Sequence, residues 1–264
     1  MLSEDAPRYG VLGWPVGHSR SPAMMQAAGL RYQHLPVAPE AFDDTVRALH
    51  GAGFRGANVT IPHKQAALAL AATCSPAARE IGAANTLSFA ADGSIAAENT
   101  DAPGLIAALG DRPVRSAFVM GAGGSARAVV WALRRAGADV SIWNRTPARA
   151  AGLDARRVSE AVAADVLVNC TSVGLDRSST RGTPFKDLPL NADGLTKYTT
   201  VVDLVYRAGG TALTHEAAKR GVDTIDGLEI LVRQGALSYT LWTGLAAPLD
   251  LMRAAARYAE TPAS

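Results

Sequence analysis

The sequence predicts an α/β protein of two domains, the first with a mixed sheet and the second with a parallel sheet. In the first hundred residues, apolar runs and helical patterns alternate, and Asp92-Gly93 between two short apolar runs is a strong hairpin signal. A hairpin makes neighbouring strands antiparallel. After residues 110–113, the pattern changes to regular alternation of continuous apolar strands with helices, as a parallel sheet covered on both faces requires. A length of 264 residues accommodates two modest domains.

The first domain is expected to contain short strands joined by helices that begin near proline. Ser21-Pro22 is typical of a helix start, since serine is favoured at the cap and proline in the first turn. The expected strands are 9–13, 33–37, 56–60, 83–89 and 95–98, and the expected helices begin at Pro22, Phe42, Pro62 and Pro103.

The second domain is expected to run through β-α-β units and to end in helical sequence. The expected strands are 117–120, 139–143, 166–169 and 201–204, with a helix at 125–136 and a mostly helical segment at 227–258. The polar stretch 176–197 is interpreted as an irregular surface loop. The expected division assigns 1–102 plus 229–264 to the first domain and 103–228 to the second.

Composition excludes several classes of protein. With 26 Lys+Arg, 24 Asp+Glu and 48% hydrophobic residues, the chain is neither disordered nor basic enough to suggest nucleic-acid binding. No apolar run is long enough to cross a bilayer, and the first residues lack a signal-peptide pattern, so we expect no membrane association and a cytoplasmic location. Cys74 and Cys170 are far apart and the five histidines are scattered, which favours reduced thiols and no metal site.

A glycine-rich turn follows the first strand of the second domain. Gly121, Gly123 and Ala126 form a G-x-G-x-x-A pattern, with Gly124 and Ser125 inside it, at the start of a helix. The first glycine permits a tight turn, the second lets the backbone approach a pyrophosphate, and the helix N-terminus attracts the negative charge. Since a strand precedes this pattern and another follows the helix, it indicates a Rossmann-like dinucleotide-binding domain.

The end of the next strand favours NADP over NAD. An NAD site usually has an acidic residue at this point, but here the chain has Asn144, Arg145 and Thr146, with Arg149 nearby. Arginine provides charge and several donors for a 2′-phosphate. The alternatives are that both arginines are merely solvated, or that the turn serves S-adenosylmethionine in a methyltransferase, which would need an acidic residue here and would not use Arg145.

Four short polar segments lie at strand ends or helix starts in the first domain. They are 19–22, 58–64, 84–86 and 99–101. Taken singly, each contains ordinary caps or turn formers. Together they provide hydroxyls for an anion, amides and hydroxyls for a polyol, and one lysine and one aspartate for proton transfer.

These segments resemble the shikimate dehydrogenase family over nearly the whole chain. The matching residues are Ser19-x-Ser21-Pro22, Gly56-x-Asn58-Val59-Thr60-x-Pro62-x-Lys64, Asn85-Thr86, Asn99-Thr100-Asp101-x-x-Gly104, Gly121-x-Gly123-Gly124, Asn144-Arg145-Thr146 and Asp226-Gly227-Leu228 with Gln234. The chain departs from the family pattern at Met25-Gln26, Glu98 and Ala208, and the connection from Pro22 to Asn58 is short.

The resemblance implies NADP-dependent, reversible reduction of 3-dehydroshikimate to shikimate. Hydride passes between the nicotinamide and the ring carbon, and Lys64 acts as the general acid or base with Asp101 beside it. The implied ligands of the substrate carboxylate are Ser19, Ser21 and Tyr206; those of the ring hydroxyls are Thr60, Asn85, Asp101 and Gln234, with Asn58 as a further candidate. The implied cofactor residues are Gly121, Gly123, Gly124, Ser125, Asn144, Arg145, Thr146, Arg149 and Gly227.

Two other functions remain open at this point. A quinate or dual quinate/shikimate dehydrogenase would differ in its treatment of an extra ring hydroxyl and often in using NAD. A catalytically silent paralogue would bind NADPH or a cyclitol acid without turnover. In each case we expect a small-molecule partner, no nucleic acid, and a monomer or homodimer.

Overall fold

Contacts within the chain divide the protein into two units. The computed structural model describes residues 7–175, 185–207 and 209–258. The first unit comprises Met1–Gly104 and Leu231–Ser264, and the second comprises Leu105–Ile230. The sequence-based division placed each boundary slightly earlier, after residues 102 and 228. Within the described part of the chain, we find no helix that is both long and apolar enough to cross a bilayer.

The first unit contains a mixed six-stranded sheet, as predicted. Its strands are β1 (Arg8–Gly13), β2 (Arg31–Pro36), β3 (Phe54–Val59), β4 (Thr73–Cys74), β5 (Thr86–Phe89) and β6 (Ile95–Glu98), in the order β2-β1-β3-β5-β6-β4. β1 is parallel to β2 and β3, whereas β5 is antiparallel to β3 and β6. The predicted hairpin is confirmed, since β5 and β6 pair across the turn that contains Gly93 with φ of 81°.

The second unit contains a six-stranded sheet in which every pair is parallel. Its strands are β7 (Ser116–Met120), β8 (Asp139–Trp143), β9 (Arg156–Arg157), β10 (Val166–Asn169), β11 (Thr200–Asp203) and β12 (Asp223–Ile225), in the order β12-β11-β10-β7-β8-β9. The chain proceeds outward from β7 in one direction and from β10 in the other. Ligands of open parallel sheets bind beyond the carboxyl ends of the strands at such a switch point.

Helices connect most of these strands. They are α1 (Ser21–Ala27), α2 (Phe42–Leu49), α3 (Lys64–Leu70), α4 (Pro76–Ile81), α5 (Asp101–Leu109), α6 (Gly124–Arg135), α7 (Ala212–Lys219), α8 (Gly227–Thr243) and α9 (Leu249–Tyr258). Three predicted helix starts in the first domain were wrong. Ser21 is the first residue of α1 rather than its cap, α3 begins at Lys64 rather than at Pro62, and α5 begins at Asp101 rather than at Pro103.

The polar stretch 176–197 is only partly a surface loop. Residues 176–184 lie outside the described part of the chain, as does Ala208. Leu188, Leu190 and Leu195 are buried in the core of the second unit, against Phe118 and Tyr198. The surface interpretation was therefore wrong for these leucines, because the aspartate, proline, asparagine and glycine residues between them concealed their apolar pattern.

Candidate functional site

Lys64 and Asp101 form an ion pair that is almost removed from solvent. The Lys64 Nζ lies 2.6 Å from Asp101 Oδ2, and the two side chains are 9% and 14% exposed. Lys64 is the first residue of α3 and Asp101 the first residue of α5, so two helix starts bring them together. The pair retains enough exposure for a small ligand to reach it.

The Asn85 carboxamide joins this ion pair to Gln234. The Asn85 Oδ1 accepts a hydrogen bond from the Thr100 backbone N–H at 2.7 Å, which fixes the orientation of the amide. Its Nδ2 then donates to Asp101 Oδ1 at 2.9 Å and to Gln234 Oε1 at 3.1 Å. The Gln234 Oε1 therefore already accepts a hydrogen bond, and the amide can offer a ligand only the N–H groups of Nε2. One of these N–H groups donates to the Leu231 carbonyl at 2.9 Å.

Gly104 brings α5 and α8 close enough for this contact. A Cβ added to Gly104 would lie 2.9 Å from the Gln234 Cβ and 3.0 Å from its backbone nitrogen. A side chain there would force Gln234 away from Asn85. The residue spacing that suggested the family therefore has a steric cause at this position.

A layer of buried hydroxyls lies beside these amides. The Asn58 Nδ2 donates to Ser238 Oγ at 2.9 Å and to Thr86 Oγ1 at 3.1 Å, and Tyr32 Oη donates to Asn58 Oδ1 at 2.8 Å. Asn58, expected as a further substrate ligand, thus has both ends of its amide engaged. Sequence reasoning missed Ser238 and Tyr32; the available signal for Ser238 was a polar residue one helical turn after Gln234 in an apolar helix.

Ser19 and Ser21 lie in direct contact at the start of α1. Their hydroxyl oxygens are 3.2 Å apart, and the Ser21 backbone N–H donates to Ser19 Oγ at 3.3 Å. Between them, the buried Arg20 side chain donates to the carbonyl of Ala256 in α9 at 2.8 Å. The arginine thereby anchors the turn that carries the two serines.

Thr60 lies at the same edge of the first sheet as the turn that leads to these serines. It follows β3, and its backbone N–H donates to the carbonyl of Leu12 in the neighbouring strand β1 at 2.8 Å. Because β1 and β3 are parallel, their carboxyl ends meet at one edge. This edge carries Thr60 and, four residues further along the chain, Lys64.

The glycine turn of the second unit fits a pyrophosphate. Gly121 has φ of 106°, and a Cβ there would lie 2.9 Å from the Cys170 carbonyl oxygen, so the turn packs tightly against the chain that follows β10. A Cβ added to Gly123, in contrast, would meet nothing within 4 Å. α6 begins at the next residue, without an acidic side chain in its first turn and with Ser125 there, so its N-terminal N–H groups can bind an anion.

The chain after β8 carries two exposed arginines, Arg145 and Arg149. The Asn144 Nδ2 donates to the Thr146 carbonyl at 2.7 Å, which shapes the turn that contains Arg145. No acidic residue lies between positions 143 and 149. β8 is the neighbour of β7, so this cationic turn follows the strand beside the glycine turn and fits a 2′-phosphate.

The remaining predicted residues follow β11 and begin α8. Gly227 is buried, and a Cβ there would lie 2.5 Å from the Leu204 carbonyl oxygen, so only glycine permits this approach. Tyr206 is half-buried in the segment after β11. Before it, Asp203 is 1% exposed, and its burial raises the pKa of the carboxyl to about 6 against the opposing hydrogen bonds of Thr211, Val205 and Asn169.

Comparisons with known protein families support the relationship that these motifs suggest. Residues 11–87 match the family model of the shikimate dehydrogenase substrate binding domain, and residues 227–257 match that of the shikimate 5′-dehydrogenase C-terminal domain.

Curated relatives match over almost the whole chain. The shikimate dehydrogenase (NADP(+)) of Thermus thermophilus is 45% identical over 96% of this chain and 98% of the relative. That of Methanocella arvoryzae is 42% identical over 94% and 97%.

Solved structures show the same architecture. The crystal structure of shikimate 5-dehydrogenase from Thermus thermophilus in complex with NADP(H) and shikimate has a TM-score of 0.83 and 41% identity, covering 95% of this chain and 98% of that one. The shikimate dehydrogenase of Aquifex aeolicus has a TM-score of 0.86 and 32% identity, covering 97% and 100%. The chain belongs to the shikimate dehydrogenase family.

Proposed function

We propose that the protein is an NADP-dependent shikimate dehydrogenase, which reversibly reduces 3-dehydroshikimate to shikimate. The observation that carries this proposal is the nearly buried Lys64–Asp101 pair, joined through the Asn85 amide to Gln234. A charged amine beside fixed amides and hydroxyls suits a polyhydroxylated ring that must gain or lose a proton. The family relationship supports the same reaction.

The substrate is held from two sides in this proposal. The adjacent hydroxyls of Ser19 and Ser21 donate to the ring carboxylate, and Tyr206 assists them. Gln234, whose oxygen is occupied by Asn85, donates from its amide nitrogen to a ring hydroxyl oxygen. Asn85, Asp101 and Thr60 complete the contacts with the ring hydroxyls.

Lys64 moves the proton. When bound, the reduced nicotinamide provides the hydride that the ring carbonyl carbon accepts. As this carbon is reduced, negative charge develops on the carbonyl oxygen, and the Lys64 ammonium stabilises that charge and donates a proton to it. In the oxidation of shikimate, Lys64 accepts the hydroxyl proton. Asp101, 2.6 Å from the ammonium nitrogen, holds the lysine in position.

The cofactor residues lie in the second unit. The N–H groups at the start of α6, which include that of Gly124, bind the pyrophosphate; Gly123 precedes them and Ser125 lies in the same turn. Asn144, Arg145, Thr146 and Arg149 bind the 2′-phosphate, while Gly121 keeps the turn tight and Gly227 faces the nicotinamide. The charge of Arg145 makes NADP the preferred cofactor.

The proposal also covers partners and location. We expect only small-molecule partners, a monomer or homodimer, and a cytoplasmic enzyme. Cys74 and Cys170, both in the described part of the chain, are not joined in a disulfide, which agrees with a reducing compartment.

Turnover with four substrate and cofactor combinations tests the function. Shikimate and quinate are each assayed with NADP and with NAD by following absorbance of the reduced nicotinamide, and we expect shikimate with NADP to give the highest kcat/KM. Preference for quinate would establish the quinate dehydrogenase alternative, and NADP binding without turnover the silent paralogue. Replacing the proposed general acid, Lys64→Ala, should reduce this turnover. Lys219→Ala is its control, since Lys219 also forms an ion pair, with Glu216, but is 69% exposed.

A further inference from the structure

Asp203 is a buried carboxyl group for which the proposed reaction has no use. It ends β11, is 1% exposed, and receives hydrogen bonds from three separate donors. The Asp203 Oδ2 accepts from Thr211 Oγ1 at 2.7 Å. Its Oδ1 accepts from Asn169 Nδ2 at 2.9 Å and from the Val205 backbone N–H at 3.1 Å. A carboxyl group so completely removed from water requires a reason to be kept.

These donors belong to three different segments of the second unit. Asn169 ends β10, Val205 lies in the segment that leads to Tyr206, and Thr211 caps the N-terminus of α7. Asn169 extends the network, because its Oδ1 accepts from the backbone N–H of Thr171 at 3.1 Å and from its hydroxyl at 2.7 Å. The carboxyl of Asp203 therefore fixes the loops that follow β10 and β11 relative to each other.

Both loops contact cofactor residues through the backbone. The loop after β10 packs against Gly121, whose added Cβ would lie 2.9 Å from the Cys170 carbonyl oxygen. The loop after β11 packs against Gly227, whose added Cβ would lie 2.5 Å from the Leu204 carbonyl oxygen and 3.0 Å from that of Asp203. Contacts this close transmit a displacement of either loop directly to the glycine beside it.

We infer that Asp203 is a positioning residue that sets the nicotinamide end of the cofactor site by tying together the loops after β10 and β11. The inference rests on the proposed function, since Gly227 and Tyr206 acquire their roles from it. Asp203 itself touches neither substrate nor cofactor in this account. It acts through the backbone of residues 170–171 and 204–206.

The test separates the nicotinamide end of the cofactor from the adenine end. Asp203→Asn replaces one acceptor oxygen by a donor and so disturbs the bond from Thr211. We expect kcat to fall by about 10- to 100-fold, as for a small misplacement of reacting groups, and NADP to bind more weakly. Binding of adenosine 2′,5′-bisphosphate, which carries the 2′-phosphate but lacks the pyrophosphate link and the nicotinamide, should remain unchanged by isothermal titration calorimetry.

Thr211 provides an independent pair of variants if Asp203→Asn does not fold. Thr211→Ser keeps both the hydroxyl donor and the helix cap and should behave as the wild type. Thr211→Val has nearly the same shape without the hydroxyl and should reproduce the loss of kcat and of NADP affinity, but not of fragment affinity. Valine also removes the cap of α7, so the change that Thr211→Val shares with Asp203→Asn is the one assigned to the hydrogen bond between Thr211 and Asp203.

Asp165→Asn is the matched control. Asp165 also bridges two strands, accepting from the backbone N–H groups of Arg115 and Ser116 at 2.7 and 3.0 Å, but at the amino end of the sheet. It should alter stability while leaving kcat and the ratio of NADP to fragment affinity at wild-type values. The inference is overturned if Asp203→Asn and Thr211→Val keep the wild-type kcat and the wild-type ratio of NADP to fragment affinity. It is also overturned if Asp165→Asn changes kcat and this ratio as much as they do.

Failure of the proposed function is distinguishable from failure of this inference. If wild-type protein binds NADP but does not oxidise shikimate, the proposed function fails, and the ratio of NADP to fragment affinity still tests Asp203 without any turnover. If the wild type is active and that ratio is the same in all variants, only the inference fails.

Discussion

Replacing Asp203 by asparagine should remove a pH dependence of stability that the wild-type protein carries. Burial raises the pKa of Asp203 from its usual 3.8 to about 6 in the folded protein. A carboxyl group whose pKa is higher in the folded than in the unfolded state binds its proton more tightly when folded. Its contribution to the free energy of unfolding is therefore greatest below a pH of about 4 and disappears as the pH rises through about 6. Because one pKa unit corresponds to about 1.4 kcal/mol, the change amounts to about 3 kcal/mol. Asparagine does not titrate, so the variant lacks this change.

The assay is the difference in the free energy of unfolding between the two proteins, measured by urea denaturation at several pH values between about 4 and 8. Titration of all other groups is common to both proteins and cancels in the difference. We expect the wild type to lose about 3 kcal/mol relative to Asp203→Asn as the pH rises across this range. A difference that does not vary with pH, or that shifts in favour of the wild type, would refute the assignment of a raised pKa to this buried carboxyl.

Three further predictions concern the candidate catalytic lysine and the candidate cofactor residues. Lys64→Ala should lower kcat by about 10²- to 10⁴-fold, the usual contribution of a general acid or base, with NADP affinity measured by titration nearly unaltered; an unchanged kcat would remove the lysine from the mechanism. Arg145→Ala should weaken NADP far more than NAD in binding assays, since only NADP has the 2′-phosphate, and equal losses would contradict the assignment. Gly123→Ala should fold with wild-type stability but bind NADP weakly, because its Cβ enters open space where the pyrophosphate would lie. Gly121→Ala should bind NADP weakly and also lose about 1–3 kcal/mol of stability, because Gly121 has a positive φ. Wild-type NADP affinity in Gly123→Ala would contradict the phosphate site.

The sequence predicted the architecture well where the spacing of the apolar residues and the turn-forming residues indicate the same strand boundaries. β6, β8 and β10 have the predicted bounds, and the Asp92-Gly93 hairpin forms because glycine provides the positive φ of the turn. β4, β9 and β12 were not predicted, since strands of two or three residues are too short to show a recognisable spacing of apolar residues.

Many of the candidate site residues could be proposed from the sequence because they lie in short contiguous motifs at strand ends or helix starts. Lys64 and Asp101 are 37 residues apart in sequence, and only the structure shows their 2.6 Å contact. The supporting residues were the harder part. Ser238 and Asp203 act through buried hydrogen bonds to residues distant in sequence, and no local pattern specifies such partners.

The most direct test of the proposed reaction is a crystal structure of the protein with both NADP and shikimate bound. We expect the Lys64 Nζ to lie within hydrogen-bond distance, about 2.6–3.2 Å, of the hydroxyl oxygen on the ring carbon that faces the nicotinamide. A Lys64 ammonium directed into solvent, with another side chain bonded to that oxygen, would contradict it.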